Sequence, residues 1–279
     1  MKLRVTIIIG ILLLIVGSGM MIAAASQENF NIKNVLFTNL EAEEKLYNAD
    51  EIEGIYFDAE VDSLVVYKTA REDIRIIGKK GDNLEYNYRI DDNGILCIEQ
   101  ETKGVLGKFI NINIFGTIGI EEMKFIIELP EAFNKDLTID INAGNLEIRN
   151  YDANKINIDI NAGAAKLEKL NVDNLTANID VGDIDINNCT FNTSSIKVEV
   201  GDIDISNCLF SNSIIEVEVG DIDANAEVTS SLDVSVEVGD INLNLIGTDD
   251  LYKINNDSNG TVIIKIDVEV GDFDYSFQN

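Results

Sequence analysis

The chain has no histidine and no tryptophan, a single proline (Pro130) and three cysteines among 279 residues. Without histidine it lacks the commonest general base, the commonest transition-metal ligand, and the Ser/His and Cys/His nucleophile pairs. Without tryptophan the aromatic platforms of sugar subsites are thin. One proline leaves the backbone free to run long strands. Positive charge is scarce as well: 21 Lys and Arg face 50 Asp and Glu, a formal net charge of −29. That argues against nucleic-acid binding, which needs basic stripes. It favours cationic partners, whether metal ions, basic peptides or basic wall components, with solubility through self-repulsion as the plain alternative.

What is present is apolar and β-branched. Hydrophobic residues make up 46% of the chain, and their richness in Ile and Val favours sheet. The first four residues, Met1-Lys2-Leu3-Arg4, are basic, and Val5 to Ala25 follows as 21 residues without charge. That run is long enough to cross a bilayer as a helix. It reads either as an uncleaved anchor with Lys2 and Arg4 inside, or as a long signal peptide cut near Ala25. Both place the rest of the chain outside the cytoplasm, and no cysteine follows the run to carry a lipid. Residues 26–52 form an acidic connector, partly helical around Leu40 to Tyr47, before a domain over 53–279.

A repeat dominates that domain. Gly144, Gly163, Gly182, Gly201, Gly220 and Gly239 are each 19 residues apart, and Gly271 follows after one coil plus a 13-residue insertion. Aligned on the glycines, five columns are apolar. They begin at Ile139, Ile141, Ala143, Leu146 and Ile148, with period two on each side of the glycine. No coil can bury its own apolar row, so neighbours must stack. The spacing predicts an all-β, parallel β-solenoid, single-stranded and β-helix-like, with 19-residue coils. Regular coils run from about 137 to 246 and a C-terminal cap over 247–279, closed by Phe273, Tyr275 and Phe277. The glycines mark a sharp bend requiring positive φ. The other corner is polar: Asn187-Asn188, Ser206-Asn207, Thr193-Ser194-Ser195 and Asn212-Ser213. Upstream, Ile55 to Val66 has the same alternation without the glycine and reads as a degenerate coil. Asp91-Asp92-Asn93-Gly94 predicts a hairpin within Tyr88 to Ile98. Val105 to Ile120 is an added strand pair or lip.

These segments resemble a known family. The Val-Glu-Val-Gly-Asp-Ile phrase, the lead-in Phe125 to Pro130 with Leu137 to Gly144, and the Ile55 to Val66 segment are similar to the bacterial putative-adhesin family, a domain of unknown function built of β-strand repeats. The resemblance spans about residues 53–279. It implies membrane-tethered or surface proteins, some tied to envelope stress of the Lia type and to cationic antimicrobial peptides. It supplies no catalytic motif.

The outward columns carry the chemistry. One holds Asp180, Glu199, Glu218 and Glu237. The next holds Asp183, Asp202, Asp221 and Asp240, and a third Asp185, Asp204 and Asp223. Residues 177–246 contain 14 acids and one base, Lys197. Like charges about 5 Å apart repel by roughly 0.8 kcal/mol in water and about 3 kcal/mol at an effective dielectric of 20. A solvated edge that discourages sheet aggregation explains such columns. So does a site for weakly bound Ca²⁺ or Mg²⁺, or for a polycation. Cys189 and Cys208 stack one coil apart, as a disulfide or as buried thiols; Cys97 is unpaired. No cofactor is expected.

The reading is a non-catalytic, extracytoplasmic envelope protein. It presents a rigid acidic surface for adhesion, stress sensing or cationic ligands such as cell-wall components or cationic peptides. The alternatives are a polysaccharide-active β-helix enzyme, which would need a loop-walled cleft, and a structural spacer.

Overall fold

The computed structural model describes residues 40–82, 84–102, 124–247, 252–254 and 262–278. The predicted anchor at Val5 to Ala25 and the segment Val105 to Ile120 lie outside them. Among the described residues no helix is long and apolar enough to cross a membrane. They form strands joined by short turns, with one 3-10 turn at Ala49–Glu51.

The strands divide into a parallel stack and a head in which parallel and antiparallel pairs mix. At the head are β1 (Glu41–Asn48), β2 (Gly54–Val61), β3 (Ser63–Thr69), β4 (Asp73–Lys80), β5 (Leu84–Ile90), β6 (Ile95–Thr102) and β7 (Lys124–Pro130). The stack continues through β8 (Asp136–Ala143), β9 (Leu146–Ala162), β10 (Ala165–Val181), β11 (Ile184–Asn187), β12 (Thr190–Val200), β13 (Ile203–Val219) and β14 (Ile222–Val238). It ends with β15 (Ile241–Ile246), β16 (Tyr252–Ile254), β17 (Val262–Val270) and β18 (Phe273–Gln278).

Successive coils pair in parallel at the 19-residue register. Leu146 faces Ala165, Ala165 faces Ile184, Ile184 faces Ile203 and Ile203 faces Ile222. Across the insertion the register becomes 32, with Val234 facing Ile266. Four of the five apolar columns point into one continuous core: Ile139, Ile141, Leu146, Ile148 and their equivalents are buried in every coil through Leu243.

The degenerate coil is confirmed. β2 pairs in parallel with β8 and β3 with β9, so Asp62 sits where Gly144 would place its predecessor. Spatial order departs from chain order here. β6 lies on the outer side of β2, and β7 on the outer side of β3, both parallel. The chain therefore lays down its second layer first, steps outward to β6 and β7, then returns past both to β8. Three antiparallel strands close this end: β5 on β6, β4 on β7, and β1 on β4. The hairpin between β5 and β6 turns as expected at Gly94 (φ 79°), with Asp91 accepting the amides of Asn93 and Ile95 at 2.9 Å. Leu40 to Tyr47, expected as partly helical, is instead the edge strand β1. Pairing with β4 overrides the helix propensity of its Glu, Ala, Lys and Leu.

Candidate functional site

The glycine corner is built from backbone first. Each of the seven glycines has φ between 142° and 156°. A Cβ on Gly163 would lie 1.7 Å from the Gly144 carbonyl oxygen, and one on Gly201 would lie 2.1 Å from that of Gly182. Positive φ and this close approach both require glycine. The second corner is left-handed too: Asn150, Lys169, Asn188 and Asn207 have φ of 52–55°. Asparagine adopts this region at low strain and lysine does so rarely. In β14 that corner loses one residue and the next bend regains it, so Cys208 faces Ala226 while Asn212 again faces Ser231. The Ser stretches lie inside strands, and Ser194 donates to Ser213 at 2.7 Å, both buried.

The predicted acidic columns are brought together along one edge, yet they differ in what they do. Asp183, Asp202, Asp221 and Asp240, just after the glycines, are exposed but tied to backbone. Each accepts the amide of the equivalent residue one coil on: Asp202 N–H to Asp183 Oδ1 at 2.9 Å, then 2.8, 2.7 and 2.7 Å up to Asp272. The column just before the valines, Asp180, Glu199, Glu218 and Glu237, makes no such ladder. Among the described residues its one cationic partner is Lys197, paired with Glu218 at 2.8 Å and Glu199 at 3.9 Å. In the third column (Asp185, Asp204, Asp223), partial burial and then the flanking Asp185 and Asp223 hold Asp204 above its ordinary pKa. This column continues through Asn242 to Asp274 along a shallow groove that also takes in Asn244 and Tyr275. Among the described residues no group of three or more Asp, Glu, Cys or His is placed to hold a metal ion.

The third apolar column overturns the sequence expectation. Val181, Val200, Val219, Val238 and Val270, immediately before the glycines, are 42%, 48%, 48%, 47% and 62% exposed. Strand alternation would turn them inward, but the sharp bend lifts them onto the outside of the corner. Each valine thus stands between an acid on one side and the glycine-aspartate pair on the other. A fourth acidic column was not singled out from the sequence. Asp58, Asp140 and Asp159 stack four residues before the corner in the first coils. Burial and then the neighbouring carboxylates raise the pKa of Asp140 and Asp159.

Cys189 and Cys208 do not form a disulfide; both thiols are free and buried, as is that of Cys97. Side chains on adjacent rungs run parallel, and each sulfur instead accepts an amide, Leu170 N–H on Cys189 and Cys189 N–H on Cys208, both at 3.4 Å. At the end of the stack Phe277 stacks on buried Tyr252, Phe273 is half-buried and Tyr275 is 52% exposed.

The family model described as Toastrack DUF4097 matches residues 52–268, and the chain belongs to that family. Solved structures similar to it include a putative adhesin of Bacteroides fragilis (16% identity, 85% of this chain and 97% of that one, TM-score 0.47). Two others come from Parabacteroides distasonis. One is a putative adhesin (15% identity, 85% and 97%, TM-score 0.42), the other a putative lipid binding protein (14%, 85% and 97%, TM-score 0.39). A search of curated proteins finds no match.

Proposed function

We propose that this Toastrack DUF4097 chain is a non-catalytic, extracytoplasmic β-solenoid scaffold. Its ligand is a cationic molecule with an apolar face, held along the valine corner. One observation carries the reading. Two coils make the corner with Asn142-Ala143-Gly144-Asn145 and Asn161-Ala162-Gly163-Ala164. Their glycine conformations and amide bonds match those of the later coils: Gly163 N–H to Val181 O is 2.9 Å and Gly220 N–H to Val238 O is 3.0 Å. The bend therefore needs neither the acid nor the valine. Both enter together at Asp180-Val181 and persist through Glu269-Val270.

Spacing narrows the ligand. Rungs about 4.8 Å apart place the five valines in one row, each beside the next. A helix presents one apolar side chain per turn of about 5.4 Å. A strand presents one every ~6.7 Å, a poorer match. A basic amphipathic helix lying along the row would set apolar residues on the valines and cations on the carboxylate columns. An N-terminal tether would hold this edge outside the membrane.

The test is calorimetric titration of the full-length protein, in about 50 mM and 500 mM salt, with a basic amphipathic peptide and with polylysine. Binding of the peptide in the low-salt buffer, at least tenfold weaker in Glu199→Gln/Glu218→Gln/Glu237→Gln, supports the reading. Val200→Ser/Val219→Ser/Val238→Ser should weaken the peptide and leave polylysine unchanged. No binding of either probe rejects it in favour of a spacer.

A further inference from the structure

The head of the stack holds a buried carboxyl that the ligand edge does not use. Asp62 is 3% exposed and occupies the glycine position of the degenerate coil. Its amide bonds the next coil as those of the glycines do, to the Ala143 carbonyl at 3.1 Å, but without their positive φ, and its carbonyl oxygen lies 1.6 Å from where a Cβ on Gly144 would be. Its side chain points away from the stack, toward β5 and β6. There the Tyr86 hydroxyl donates to one carboxyl oxygen, while the Ser63 amide donates to the other at 2.7 Å. Gln100 on β6 donates to the Tyr86 oxygen at 2.9 Å.

Gln100 has a second task. Its Oε1 accepts the Val61 amide at 2.8 Å, and its Nε2 donates to the Val61 carbonyl at 2.9 Å. One carboxamide thus stands in for the peptide group that a preceding coil would supply, just past the point where β6 stops pairing with β2. The Tyr86 ring packs on Phe125 with centroids 4.7 Å apart. Strand β5 is otherwise an edge strand, paired along its length with β6 and joined on its other side by the single bridge Gly81–Leu84. Tyr86 is the side chain that ties it to the corner.

We infer that Asp62, Tyr86 and Gln100 form a proton-operated latch that fastens β5 over the head of the stack when Asp62 is protonated and releases it when Asp62 ionises. The bonds donated by Tyr86 and Ser63 favour the anion, but burial outweighs them: in this dry site an anion lacks the solvation it finds once β5 lifts away. The described charged and titratable groups around it are Lys79 on β4, and Tyr86 and Tyr88 on β5, with Glu43 on β1 bonded to Tyr88 at 3.2 Å. Burial dominates these and pushes Asp62 up to about 7, against the lowering from Tyr86, Ser63 and Lys79. The closed state thus holds a proton that the open state loses near the ordinary carboxylate pKa. Closure is fully favoured below that ordinary value and weakens as pH rises through about 7.

Amide hydrogen exchange on the full-length protein reads this directly. After correction for intrinsic rates, the open fraction of Leu84–Ile90 should rise about tenfold per pH unit from pH 5 to 7 and level off above. In Asp62→Asn it should be flat. The same rise in Asp62→Asn, or no rise in the unaltered chain, overturns the latch. Should Asp62→Asn fail to fold, carboxyl carbon NMR of the unaltered protein decides. A midpoint near 7 supports it and one below 5 refutes it.

Discussion

Two runs of coils in this molecule share a core and differ at the corner. The coils at Gly144 and Gly163 turn on Asn and Ala; those from Gly182 to Gly271 turn on an acid, a valine and Gly-Asp. Inside, the columns are interchangeable, Ile, Val, Leu or Ala, all buried, with Ala177 at 0% and Ala224 the most exposed at 8%. Outside, the first run keeps its acids four residues back from the corner, at Asp58, Asp140 and Asp159. The second fills that column with Asn178, Lys197, Glu216, Ser235 and Asp267. Charge has moved to the edge in the second run, and apolar bulk has moved with it. A corner shaped by stability alone would have no reason to change both together.

The largest effect should come from attacking what the runs share. Gly163→Ala and Gly201→Ala each force a methyl group into the carbonyl of the preceding glycine and a strained φ. Each should destabilise by about 3 kcal/mol or more, by equal amounts in denaturant titrations. A much milder loss at Gly163 would mean that the two corners are not the same structure.

Proton uptake should come next. Asp140 and Asp159 in the first run and Asp204 in the second have folded-state pKa values raised by burial and then by like-charged neighbours. The folded chain therefore holds protons that the unfolded chain has released. Stability should be greatest below the ordinary carboxylate range and fall as pH rises through the raised values. Thermal melts between pH 4 and 7 should show this fall. Salt should shrink the part due to neighbours and leave the part due to burial. Asp204→Asn should remove the second run's share, and Asp140→Asn that of the first.

Much of this was legible in the residues. The 19-residue register, four of the five core columns, the degenerate coil and the Gly94 hairpin all follow from period and turn chemistry. The exposed valines were not, because alternation assumes a straight strand and the corner bends it. The outward step from β3 to β6 and β7 was not, because the repeat reports neighbours in sequence and here the spatial neighbours are 41 to 82 residues apart. The aspartate ladder was hidden for another reason. A carboxylate that accepts an amide and one that faces water look alike in sequence, and Asn145, which accepts the Ala164 amide at 2.9 Å, was the available hint.

The smallest effect tests the second corner, where the runs ought to agree. Asn150, Asn188 and Asn207 adopt φ of 52–55°, and Lys169 adopts the same φ with a side chain that gains nothing there. Asparagine tolerates this region through local hydrogen bonding by its short amide, and lysine lacks that compensation. Lys169 makes only an exposed ion pair with Glu168, at 3.3 Å, which contributes little. Lys169→Asn should therefore stabilise the chain by about 0.5–1 kcal/mol, seen as a higher denaturant midpoint at unchanged slope. Asn188→Lys should lose a similar amount. A gain at one site without the matching loss at the other would show that this corner is strained differently in the two runs. The contrast between them would then reach beyond the glycine edge.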